Sequence, residues 1–94
     1  MSIDKTKEVI EGLIQDYTIS IEKGQEHINL INEENVRLGQ ARVGLNGQRQ
    51  KEIDEMIRFN NNQVELILEE MIAKNQKLRF YKKTLKEYAE AAVD

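Results

Sequence analysis

The sequence predicts an all-α chain, an antiparallel two-helix coiled-coil hairpin expected to dimerise into a four-helix bundle. Three observations carry that prediction. Apolar residues recur at alternating steps of three and four in each half, no proline interrupts the 94 residues, and the densest cluster of helix breakers falls mid-chain at Gly44–Gly47. Three-four spacing over several heptads is the periodicity of a helical seam. Without proline, nothing forces a gap in the backbone hydrogen-bond ladder.

The first helix is predicted over about residues 3–43. Its ladder is Ile3, Ile10, Ile14, Tyr17, Ile21, Ile28, Ile31 and Leu38, with Lys7, Gly24 and Asn35 in the remaining slots. Ser2 is placed to cap it, and Asp4 and Glu8 suit the positive end of its dipole. Gly12 and Gly24 weaken it by up to about 1 kcal/mol each where exposed. The turn is predicted over about 44–47, where Gly44 and Asn46-Gly47 follow Gly39. The second helix is predicted over about 48–92. Its ladder is Ile53, Ile57, Val64, Ile67, Met71, Leu78, Tyr81, Leu85, Tyr88 and Ala92, with Asn60 and Lys74 as polar steps. Lys82, Lys83 and Lys86 suit its carbonyl end. Leu45 and Ile53 are eight residues apart, so the two ladders are out of phase and the chain folds back rather than running on.

An antiparallel pair has facing residue numbers with a constant sum, and here 95 satisfies the pattern. It sets Ile10 against Leu85, Ile14 against Tyr81, Tyr17 against Leu78, Ile28 against Ile67, Ile31 against Val64 and Leu38 against Ile57. It places Gly24 opposite the long, flexible Met71. It also brings Asn35 to Asn60, the two seam amides, which would fix the register of the pair. A slip of one heptad puts each amide against an isoleucine.

Composition bounds the rest. One small domain of residues 1–94 is expected, with a seam rather than a globular core, so added stability would come from association. The absence of cysteine excludes disulfides, a thiol nucleophile and thiolate metal sites. The opening MSIDKTKEVIEGLI is too charged for a secretory leader, and no apolar run approaches membrane-spanning length. The expectation is a soluble, cytoplasmic chain with no membrane partner.

The residues that carry catalysis are missing in usable arrangements. Ser2 and Ser20 stand beside no base, and the glycines between the helices serve the turn rather than a phosphate. His27 is the single histidine, with Glu70 across the hairpin as its one candidate partner, too few ligands for a metal. Glu33-Glu34 and Glu69-Glu70 lack the Glu-x-x-His arrangement of di-iron bundles. The reading is a non-enzyme with no metal, cofactor or small-molecule substrate.

Charge is uneven. Residues 1–36 carry net −5 and residues 37–94 net +2, and Lys74, Lys77, Arg79, Lys82, Lys83 and Lys86 have no acid among them. In the proposed register these bases flank Glu8, Glu11, Asp16 and Glu22, with Glu11 near Lys82, so intramolecular charge pairing is expected. The competing reading is a nucleic-acid footprint along residues 74–86.

A second apolar stripe points to function. Phe59, Leu66, Ala73 and Phe80 repeat every seven residues beside Met56, and Val9, Leu13 and Leu30, with Ala41, occupy the matching flank of the first helix. The other flank is mostly polar, interrupted by Val36, Leu68 and Ile72. Spare hydrophobic area predicts a partner, either a second copy or a different protein. A small adaptor, inhibitor, regulatory or assembly-chaperone subunit fits this description.

In outline, the length, the two-helix hairpin and the Leu45-Asn46-Gly47 turn resemble the WxG-type hairpins of Gram-positive type VII secretion. That resemblance implies a secreted helical hairpin. Leu45 stands where those proteins have tryptophan, and neither Tyr81 nor Tyr88 is followed by an acid at the family's distance.

Overall fold

The computed structural model describes residues 4–92. Two helices account for nearly all of them, α1 over Thr6–Arg42 and α2 over Gly47–Ala92, and they pack as an all-α helical hairpin. The ends are set by caps. The Val9 amide bonds the Lys5 carbonyl at 3.0 Å, the first bond of the α1 ladder, and just before it Asp4 Oδ1 accepts the otherwise free Thr6 amide at 2.9 Å. Ser2, expected in that role, lies outside the described residues, as does Ile3. Asn46 Oδ1 accepts the Arg49 amide at 3.0 Å while its carbonyl takes the Gln50 amide at 2.9 Å, which makes Asn46 the cap of α2. The last turn of α2 itself holds no base, and Lys82, Lys83 and Lys86 lie in the turns just before it.

Between the helices the chain reverses at Gly44, whose φ of 83° is the left-handed conformation that closes a helix C-terminus. Gly39 lies inside α1, as the predicted helix bounds place it. A Cβ at Gly12, Gly39 or Gly44 would meet nothing within 4 Å, so only backbone conformation separates these sites.

The contacts divide into two compact units, one of Met1–Lys23 with Met71–Asp94 and one of Gly24–Glu70. In the first, Ile10 and Leu78 are buried, with Ile14, Tyr17, Ile21, Met71, Lys74, Tyr81, Leu85 and Tyr88 half-buried. In the second, Ile28, Ile31 and Ile53 are buried, with Gly24, Leu38, Ile57, Val64 and Ile67 half-buried. From Lys7 to Tyr88, every ladder position is therefore at least half-buried except Lys7, whose ammonium stays in water.

The register shows in specific side chains. In the Gly24–Glu70 unit, Asn60 is buried and donates from Nδ2 to Asn35 Oδ1 at 2.9 Å, while Asn35 Nδ2 donates to Asn61 Oδ1 at 3.1 Å. The amide pair that the sum of 95 brings together is thus formed, with Asn61 as an unforeseen third member. No buried side-chain N or O atom among the described residues lacks a partner. Near the turn, Arg42 grips Asp54 through Nε at 2.8 Å and Nη2 at 3.2 Å, a two-point pair that lowers the Asp54 pKa and raises that of Arg42. In the other unit the rings of Tyr17 and Tyr81 stack at 5.9 Å, although the ladder sets each opposite an aliphatic residue. Helical side chains lean toward their own N-terminus, so on antiparallel helices the two rings lean toward each other and meet.

Two stability predictions follow from these sites. Gly44→Ala lowers stability by about 1 kcal/mol because it forces an L residue into left-handed backbone, whereas Gly12→Ala, in open helix, raises it by about 0.5–1 kcal/mol. Thermal melts that move the same way for both would contradict the turn geometry. Asn60→Leu strands the Asn35 amide and costs about 1–2 kcal/mol, while Asn35→Leu/Asn60→Leu recovers that loss because no buried polar group is left alone. Urea unfolding of the three chains checks this, and a single variant as stable as wild type sinks it.

Candidate interaction surface

The seam is thin. Among the described residues five large apolar side chains are buried and none is fully enclosed, whereas twelve are exposed. The distribution of those twelve locates the surface. Val9, Leu30, Met56, Phe59, Leu66 and Phe80, all on the predicted second stripe, are exposed, with Phe59 and Phe80 each at 64%. Ala73 is exposed and Leu13 half-buried. Val36, Leu68 and Ile72, which interrupt the polar flank, are exposed too.

In the Gly24–Glu70 unit this exposure shapes an open groove of about 550 Å³. Leu38 on α1 and Met56 and Phe59 on α2 make it apolar, the Asn60 amide lies along it, and Glu34, Glu52 and Glu55 complete its lining. Helical spacing explains the assembly. Glu52, Met56 and Phe59 are three, four or seven apart on α2, Glu55 is three from Glu52 and four from Phe59, and Glu34 and Leu38 are four apart on α1, so each set shares a face. Arg49 Nη1 reaches Glu52 at 3.9 Å, and no base contributes to the lining. Three carboxylates beside an apolar floor suit an aromatic or aliphatic side chain flanked by lysine or arginine. Met56 and Phe59 were legible as stripe residues in the sequence. Glu34 and Glu55 were not recognised there as lining, although each stands four residues from an apolar lining residue, Leu38 and Phe59.

The Met1–Lys23 and Met71–Asp94 unit has a different character. Phe80 is exposed with Lys77 and Lys83 three residues to either side, hence on one face of α2. Its ring meets Tyr81 edge-on at 5.8 Å, and Lys77 lies 5.7 Å from the centre of the Tyr17 ring, with Nζ 3.4 Å from the Tyr17 hydroxyl. The expected pairing of the basic stretch with α1 does not take the form of ion pairs. Among the described residues these are Arg42–Asp54 and Arg49–Glu52, and Lys82 is in neither, nor are Lys74, Lys77, Arg79, Lys83 and Lys86. Long exposed lysines gain about 0–1 kcal/mol from such contacts and lose side-chain freedom to make them.

His27 is exposed, and no three acidic or histidine side chains among the described residues converge as a metal site. No helix among them is long and apolar enough to cross a membrane. Compared with known protein families, curated proteins and solved structures, the chain matches none of them.

One titrating contact ties the ends of this unit. Tyr88 Oη donates to Asp4 Oδ2. Donors from Thr6, then the Tyr88 hydroxyl, hold the Asp4 carboxyl at about 2 against an ordinary 3.8, and the carboxylate pushes the Tyr88 hydroxyl above its usual 10.0. A depressed acid stabilises above its unfolded value and loses that contribution as pH falls through its folded one; a raised phenol does so below 10 and loses it as pH rises. Its stabilising contribution is therefore full from about pH 4 to 10, and it is lost as pH falls toward 2 or rises through the raised Tyr88 value. The Asp4 carboxyl resonance should titrate near pH 2, and Tyr88→Phe should move that midpoint upward. An unchanged midpoint in Tyr88→Phe would show that the contact is absent in solution.

Proposed function

We propose that this chain is a non-enzymatic protein–protein interaction module, a small adaptor, inhibitor or assembly-chaperone subunit working in the cytoplasm. The observation that carries the reading is the groove of the Gly24–Glu70 unit, where Phe59 is exposed beside Leu38, Met56 and three carboxylates. A partner that fills it buries an aromatic ring already held on a helix, worth about 1.5–3 kcal/mol per large apolar side chain. Aromatic residues in such pockets tend to dominate interface energies. The carboxylates would select partners with basic residues around an apolar anchor and repel acidic ones.

The second reading, a nucleic-acid-binding hairpin dimer, is favoured by the basic side chains of residues 74–86, which enter no ion pair among the described residues. It requires affinity that falls steeply with salt.

Affinity selection from extract of the source organism, with wild type and Phe59→Ser as paired baits, tests the first reading. A protein recovered by wild type should be reduced roughly tenfold on the variant, while helicity by circular dichroism stays unchanged. Equal recovery on both baits would remove Phe59 from the docking surface. Gel shifts with RNA and duplex DNA across a salt series address the second reading. Binding that falls steeply with salt and is abolished by Lys82→Glu/Lys83→Glu would establish it in place of the first.

A further inference from the structure

Resting on the reading of the groove as a docking surface, we infer that its occupant is a second copy of this chain, seated through Lys77, Phe80 and Lys83. The chemistry of the two patches is complementary. The groove offers an apolar floor with Glu34, Glu52 and Glu55, and the Phe80 patch offers an exposed ring between two ammonium groups on the same helical face. The wider charge agrees. Residues 24–70 carry nine acidic and five basic side chains, whereas residues 74–86 carry six basic and no acidic ones. Neither lysine of the patch enters an ion pair among the described residues; Lys77 rests by the Tyr17 ring and hydroxyl, a contact that leaves its charge unneutralised.

The order of residues on α2 supplies the geometry of pairing. The seven-residue series Phe59, Leu66, Ala73, Phe80 has an aromatic at each end, so it can meet its own reverse. A second α2 lying antiparallel sets its Phe80 against Phe59 and its Ala73 against Leu66, a large residue over a small one, and the same contacts recur by symmetry. Glu55 then faces the second copy's Lys83. Opposition comes from the midpoint, where Glu69 and Glu70 of the two copies approach, so Glu69→Gln/Glu70→Gln should tighten the pair.

The experiment is light scattering over a concentration series, with two charge variants studied alone and mixed. Wild type should reach twice the 11.0 kDa chain mass. Glu34→Lys/Glu55→Lys makes the groove basic and Lys77→Glu/Lys83→Glu makes the patch acidic, and each alone should weaken the dimer roughly tenfold or more. Mixed in equal amounts they should recover near wild-type association, because each altered patch then meets its opposite on the other chain. Circular dichroism confirms that both variants keep their helices. A mixture that fails to recover overturns the inference. A wild type that stays at 11.0 kDa removes the second copy as occupant and leaves the groove to a different protein. A dimer indifferent to both charge variants and to Phe59→Ser meets through another surface, and then the groove reading falls as well.

Discussion

The register of the two helices rests on an amide exchange. Asn60 is buried and can satisfy its side chain only on Asn35, which in turn donates to Asn61. Isoleucine and leucine seams tolerate sliding, because one aliphatic contact resembles the next. An amide does not, since an unsatisfied buried polar group costs about 1–3 kcal/mol and two would be stranded by a slip. Both helices continue without a break on either side of that pair, so within the Gly24–Glu70 unit its alignment governs which residues face each other. The Arg42–Asp54 grip beside the turn then has its partners within reach, and Gly44 is left to reverse the chain over a short span.

A seam this narrow has a consequence for function. Two helices can shield only the residues between them, so the apolar positions outside the ladder stay in water however well the ladder packs. Exposed leucines scattered singly need no explanation. Phe59 and Met56 in an open groove are different, because they are large, adjacent and backed by buried structure, and water beside them is displaced at a gain by any ring that fits. The same economy of core that makes the hairpin depend on an amide pair leaves it with area to bury against a partner.

Charge divides the work with that apolar surface. Carboxylates line the groove while the bases of residues 74–86 stand free of ion pairs, so unlike charges sit on different parts of one chain. Ion pairs between exposed side chains in water are worth little, and the one contact of these bases with α1 described above, Lys77 with Tyr17, is not an ion pair. Collected around an aromatic anchor and partly desolvated by a partner, the same charges gain in strength and set orientation. The proposed self-association of complementary patches and the proposed recognition of a basic partner would draw on one arrangement.

Much of this was legible in the residues alone. The three-four spacing, the lack of proline and the Gly44–Gly47 cluster determined two helices and a reversal, since helical periodicity and chain stiffness are local properties. The constant sum of 95 found Asn35 against Asn60 because a polar residue in an apolar ladder has one economical partner. Tertiary structure alone decided what depends on side-chain reach and on the other helix. It tied Asp4 to Tyr88, turned Tyr17 and Tyr81 onto each other, and recruited Asn61 and Arg42. It also gathered Glu34 and Leu38 of α1 with Glu52, Glu55, Met56 and Phe59 of α2 into one groove. Spacing along a helix reports which residues share a face, whereas a groove exists only where two faces from distant parts of the chain are brought side by side.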